Sequence, residues 1–247
     1  MNMRTTESWG SAMAQARRWL GYKKNPDVTV ARGTLILESG ERIRVASLGK
    51  GAFTKAYVTE ASPHRVYLFT SSLVSDKEIM QNAKKRCPEN PHLPDITYEG
   101  AGKNYASYVW SMPLYKSPLT KQDSPRAWNQ YLFLKKKWEE CCREHRAKAH
   151  SYFSLYVQSY HFVESLAEAA EQGVFPEALV EAIGEIVSVA CDYGDDYTLE
   201  FSPRNLATDE KGNLILLDPL FNARQLRAMR MRSEEHTSEL QSRQYLV

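Results

Sequence analysis

The hydrophobic pattern of this chain changes period along its length, and that change limits the fold more than any other feature. Between Val28 and Ser72 the apolar residues fall in short β-branched or alternating runs: Val28 to Val30, Thr34 to Leu37, Arg42 to Val45, Ala56 to Val58 and Arg65 to Phe69. Ser39-Gly40 and Ala61-Ser62-Pro63-His64 punctuate them, so this part is predicted as an antiparallel sheet. Ser75 to Arg86 predicts a helix opened by a capping box, with Ser75 and Glu78 three apart. Pro88, Pro91 and Pro94 force an extended passage, and Asp95 to Tyr98 and Tyr105 to Met112 predict two more strands. After Pro113 and Pro118 the period becomes helical. Ser124-Pro125 starts a long, aromatic-rich helical segment reaching Ala170, with a break near Lys148 to Ser151, and Pro176 begins another through about Cys191. Strands first and helices later read as α+β, here with two lobes and a hinge near Met112 to Leu119. Before the strands, Ser8 to Lys24 has the spacing of a short amphipathic helix, with Ser8 as its cap.

At 247 residues the chain is long enough for one large domain or two closely packed lobes. Its formal charge of +2 is too small to imply specific nucleic-acid binding. The basic runs Lys135 to Lys137 and Arg224 to Arg232 read as solvated helix faces, with contact to an acidic partner as the other reading. No stretch approaches the roughly 20 apolar residues of a membrane span. Nor does the N-terminus read as an export signal, so a cytoplasmic location is expected. Cys87, Cys141, Cys142 and Cys191 show no CxxC spacing and are expected as reduced thiols. The run from Arg232 to Ser242 reads as the in-frame translation of a sequencing adapter. Residues 232–247 are therefore set aside as non-native, and the natural chain is expected to continue past Met231.

Leu48-Gly49-Lys50-Gly51-Ala52-Phe53-Thr54-Lys55-Ala56-Tyr57-Val58 places two glycines in a hairpin between consecutive strands. Glycine lets backbone amides approach a phosphate closely, although a tight hairpin also needs glycine without binding anything. Further on, Asn205 follows Ser202-Pro203-Arg204, and the apolar strand Leu214 to Leu217 ends in Asp218. Four apolar residues in a row predict a strand covered on both faces, with Asp218 emerging at its end. One amide oxygen from Asn205 and one carboxylate from Asp218 suit Mg²⁺, which takes oxygen ligands and shares them with nucleotide phosphates. Each residue alone is also an ordinary turn former.

The aromatic at the hairpin tip and the returning Ala-Tyr-Val strand resemble the Gly-rich loop of protein kinases, with Thr54 where the third glycine usually stands. Glu200, five positions before Asn205, and the strand ending at Asp218 resemble the catalytic loop and metal motif of the kinase-like fold. The Asp-Pro ending is similar to that of the early host-acting protein kinases of podovirus-type bacteriophages, and the resemblance runs from about Arg42 to Asn222. With the hydrophobic pattern, it divides the chain into an N-terminal helical extension over 1–27, read from spacing alone, an N-lobe of antiparallel sheet with one helix over 28–115, and a helical C-lobe with the catalytic-type loop over 116–231. It implies ATP and Mg²⁺ as cofactors. Gly49, Lys50, Gly51, Phe53 and Lys55 would lie around the nucleotide, Asn205 and Asp218 on the metal, and Glu200 would be the catalytic carboxylate. The substrate would be a Ser/Thr hydroxyl on a host protein.

The sequence departs from that pattern twice. Leu68 stands where the family carries its strand lysine, and Glu200 stands where an aspartate is expected. The extra methylene moves the carboxylate by about 1 Å, a displacement worth on the order of 100-fold in rate. Lys50 or Lys55 is the candidate replacement for the lysine, with Glu78 as its ion-pair partner. The alternative is a pseudokinase, keeping the fold as a binding or regulatory module on a host protein. A small-molecule phosphotransferase is a third reading, without the usual His-Gly-Asp lead-in.

Overall fold

A computed structural model describes residues 32–36, 42–50, 54–59, 62–71, 75–101, 107–148, 155–194 and 196–224. The expected helix at Ser8 to Lys24, the strand at Val28 to Val30 and the set-aside segment 232–247 lie outside them. The chain is α+β. Strands β1 (Arg32–Ile36), β2 (Arg42–Lys50), β3 (Thr54–Thr59) and β4 (Arg65–Ser71) are followed by helix α1 (Asp76–Arg86), then by β5 (Thr97–Ala101) and β6 (Ser107–Pro113). Together they form one antiparallel sheet in the order β1-β2-β3-β4-β6-β5, so the chain leaves β4 through α1 and returns at the far edge before closing back beside β4.

Period-two alternation sorts this sheet into two faces. Ala56 and Val58 of β3, Val66 and Leu68 of β4, and Trp110 and Met112 of β6 enter the main core. Tyr57, Tyr67, Phe69 and Val109 point the other way, with Tyr57 edge-on to Phe69 at 5.5 Å.

Helices α2 (Pro125–Lys148), α3 (Leu155–Glu171) and α4 (Glu177–Cys191) follow. The expected break in the long helical segment falls between α2 and α3. Pro125 occupies the first helical position of α2, where its missing N–H costs nothing. Ser124 caps it, its Oγ accepting the Ala127 N–H at 3.2 Å and donating to the Gly212 carbonyl at 3.0 Å. The aromatic content of these helices goes into the core: Phe162 is fully buried between Trp138 and Phe201, and Phe133 stacks on Phe175 at 4.8 Å. The same continuous core takes in the inner face of the sheet and the helices. No described helix is long and apolar enough to cross a membrane. All four cysteines are free thiols.

The capping box expected at α1 does not form. Ser75 makes no side-chain cap, and its N–H instead donates to the Tyr197 hydroxyl at 3.2 Å. The helix stops at Cys87, before Pro88. Past α1, the proline-rich passage is pinned from within. Asn90 donates to the Ala178 carbonyl of α4 at 2.7 Å and to Glu181 at 2.8 Å, while its own oxygen accepts the His92 N–H at 2.9 Å.

Two short two-stranded sheets close the described chain. Strand β7 (Tyr197–Leu199) pairs with β10 (Leu220–Asn222), and β8 (Leu206–Thr208) pairs with β9 (Leu214–Leu216). Every residue of β8 and β9 is buried, for β9 as its apolar run predicts. The turn between them is made by Asp209, whose carboxylate accepts both the backbone N–H (2.7 Å) and the amide (2.8 Å) of Asn213, and by Gly212 at φ +78°. The segment expected as a hinge crosses from sheet to helices strapped to this hairpin: Lys116 and Thr208 exchange two backbone bonds of 3.0 Å, and Leu119 N–H donates to the Pro203 carbonyl at 2.9 Å.

Candidate nucleotide and metal site

Three of the residues singled out in the sequence converge where the two small sheets meet. Strand β9 ends at Leu216, and the chain turns so that the N–H groups of Leu217 and Asp218 both donate to the Asn205 carbonyl, each at 3.0 Å. Asn205 closes a single 3₁₀ turn, Pro203–Asn205, opened by Ser202, whose hydroxyl accepts the Arg204 N–H. One residue past Asp218, the Pro219 carbonyl accepts the Glu200 N–H at 2.8 Å. The backbone thus ties Asn205 to Asp218 directly and Glu200 to the residue after it. No described residue hydrogen-bonds the Asn205 carboxamide, and the Glu200 side chain is exposed.

The strand beneath Asp218 is itself held from the α1 side. His92 is buried; its Nδ1–H donates to the Leu214 carbonyl at 2.7 Å, and its own carbonyl accepts the Leu216 N–H at 3.0 Å. Burial, with Arg126 nearby, lowers the His92 pKa below the ordinary histidine value.

The side chain that completes the patch was not among the residues predicted for it. Lys77, in the first turn of α1, is 3% exposed, and its Nζ donates to Asp218 Oδ1 at 2.7 Å. The same Nζ lies 3.0 Å from Oδ2 of Asp76, itself buried, while Asp76 Oδ1 has no hydrogen-bond partner among the described residues. Burial disfavours the Lys77 ammonium, but the carboxylates of Asp218 and Asp76 outweigh it and hold the group above the ordinary lysine range. Burial raises the Asp218 carboxyl, with Lys77 opposing and Asp76 adding. Asp218 nevertheless keeps 40% of its side chain open to solvent, so water reaches its outer edge.

The periodicity of α1 explains the arrangement. Ile79, Met80 and Ala83 are its buried stripe, and Asp76 stands three, four and seven positions before them, with Lys77 three before Met80. Glu78 is one step round the helix, three and four positions before Gln81 and Asn82, so it is exposed and faces the Tyr193 hydroxyl. Glu78 is therefore not the inward partner expected of it. That apolar stripe was the one signal in the sequence that marked Asp76 and Lys77 as inward-facing.

The two strands that flank the glycine-rich turn pair with each other, with a difference. Strand β2 continues to Lys50, with Gly49 opposite Ala56 and Lys50 opposite Lys55, past a bulge between Ser47 and Gly49. Gly49 therefore belongs to the strand, because the ladder carries on beyond the irregularity. Gly51 and Phe53 lie outside the described residues, as does the Lys50 side chain. Lys55 is exposed and shares the outer face with Tyr57 and Phe69, turned away from the core face. Period-two alternation thus removes Lys55 from the site. Leu68, aligned to the family's strand lysine, is buried at 5% exposure in the main core.

Among the described residues, no group of three or more His, Cys, Asp or Glu side chains is placed to hold a metal alone. One carboxylate and one amide oxygen instead suit a divalent cation that shares its shell with a phosphate ligand. The chain matches neither a protein-family model nor a curated protein.

Proposed function

We propose that this is a kinase-like protein that binds ATP and Mg²⁺ at the Asn205/Asp218 patch and transfers the γ-phosphate to Ser/Thr hydroxyls of a host protein, as an early bacteriophage kinase would. The observation that carries the reading is the pair of backbone bonds from Leu217 and Asp218 to the Asn205 carbonyl, which bring an asparagine and an aspartate together at the end of a buried strand. The order of parts supports it: a glycine-bearing hairpin, a strand, a helix, then a catalytic-type turn and a metal aspartate, as in protein kinases. So does the chemistry. Asn205 and Asp218 would hold Mg²⁺ against the phosphates, the Gly49 backbone would face them, and Glu200 would take the proton of the attacking hydroxyl as the bond to the γ-phosphorus forms and ADP leaves.

A pseudokinase acting by contact on a host protein is the second reading, favoured by the burial of Leu68 at the position of the family's lysine. Incubation with Mg²⁺ and γ-labelled ATP, with a mixed-protein acceptor, separates the two. Label transfer abolished by Asp218→Ala is the result expected of the enzyme, and nucleotide binding without transfer is that of the pseudokinase. Absence of nucleotide binding would sink both.

A further inference from the structure

We propose that Lys77 is the phosphate-binding lysine of this site, delivered by helix α1 in place of strand β4; the inference rests on the nucleotide-binding reading above. The strand position is closed, since Leu68 is core and Lys55 faces outward. Lys77, by contrast, already touches Asp218, the carboxylate assigned to the metal, at 2.7 Å. An ammonium has three N–H donors. Two are directed at Asp218 and Asp76, and no described residue accepts the third.

The charges of the cluster favour the same assignment. Two carboxylates against one ammonium leave one negative charge, which favours a dication over further anions. With Mg²⁺ added the balance becomes positive, and the cluster then favours a polyphosphate. As the metal takes Asp218, the Lys77 donor released from that oxygen turns to a phosphate oxygen, and Asp76 keeps the ammonium anchored from behind. Asp76 is a buried carboxylate with one oxygen that no described residue hydrogen-bonds, which is a costly arrangement unless it serves the cation beside it. A lysine so held is a preorganised donor, paying little of the ordering cost a free surface lysine would pay on binding.

The test is equilibrium dialysis of labelled ATP with Mg²⁺, and of adenosine, against wild type, Asp76→Asn, Lys77→Met/Asp76→Asn and Lys55→Ala. The double variant keeps the buried charges balanced, so it stays folded where Lys77→Met alone is strained. Relative to Asp76→Asn, the double variant is expected to lose about tenfold or more in ATP affinity, about 1.4 kcal/mol. Its adenosine affinity, and the ATP affinity of Lys55→Ala, are expected to stay near wild type. Equal ATP affinity in Asp76→Asn and the double variant, with wild type binding ATP, overturns the role of Lys77 and leaves the nucleotide reading standing. Equal loss for ATP and adenosine shows a merely structural lysine and overturns it too. If wild type binds no ATP, the nucleotide reading falls and the inference with it.

Discussion

Replacing Lys77 with methionine tests the buried cluster directly, by stability rather than by ligand binding. Methionine follows the lysine stem closely in volume, so little cavity is created and the packing cost is small. What changes is charge. Asp76 sits at 5% exposure with Lys77 as its one described cationic partner, so the substitution leaves a buried carboxylate without a counter-charge, a situation that costs about 3–5 kcal/mol. Asp218 adds little, because water reaches its open edge and replaces the lost ammonium. Lys77→Met/Asp76→Asn removes the bare charge and leaves an unpaired buried amide, a cost of about 1–3 kcal/mol. The double variant should therefore be the more stable of the two, by about 2 kcal/mol. Urea unfolding at pH 7 is the assay; with a slope of about 2–3 kcal/mol per molar, the single substitution should move the midpoint down by about 1–2 M. The pH is well chosen. A lysine raised in the folded state contributes its full stabilisation below the ordinary lysine value and loses it only as pH climbs through the folded one. A single variant within about 1 kcal/mol of wild type, or a double variant less stable than the single, would refute the account.

Two further perturbations test how the site is supported. Because burial lowers the His92 pKa, the unfolded chain binds the proton more readily, and stability should fall as pH drops below 6.5 toward the folded value. Urea midpoints at pH 7.5 and 5.5 should show this loss in wild type and a smaller one in His92→Gln; the same loss in both would assign it to another group. Gly212→Ala places a Cβ 3.4 Å from Ser124 Oγ, which is tolerable, but holds alanine at φ +78° in the turn before β9. The cost should be about 1–2 kcal/mol by urea unfolding, and a neutral result would mean the turn relaxes.

Much of the local structure was legible because it depends on short spacings. The alternation over β2 to β4, the Ser124-Pro125 helix start and the apolar run of β9 each report a periodicity or a cap that neighbouring residues decide. The Asn205 and Asp218 positions were legible for the same reason, since a turn former and a strand terminus carry their own signals. The capping box at Ser75 was a correct local pattern that lost to tertiary structure, where the Tyr197 hydroxyl takes the Ser75 N–H. Lys55 turned on parity: one step along a strand changes faces, and its register opposite Phe69 puts it on the outer face of the sheet.

By itself, then, the sequence determined the α+β class, the positions of the main described elements and the placing of Asn205 in a turn and Asp218 at a strand end, all through contacts between residues close along the chain. Only the tertiary structure decided that Lys77, 141 positions from Asp218, is the cation beside it. A helix stripe shows that a lysine faces inward, but its partner is chosen by how the helix packs against distant strands, and no local spacing records that.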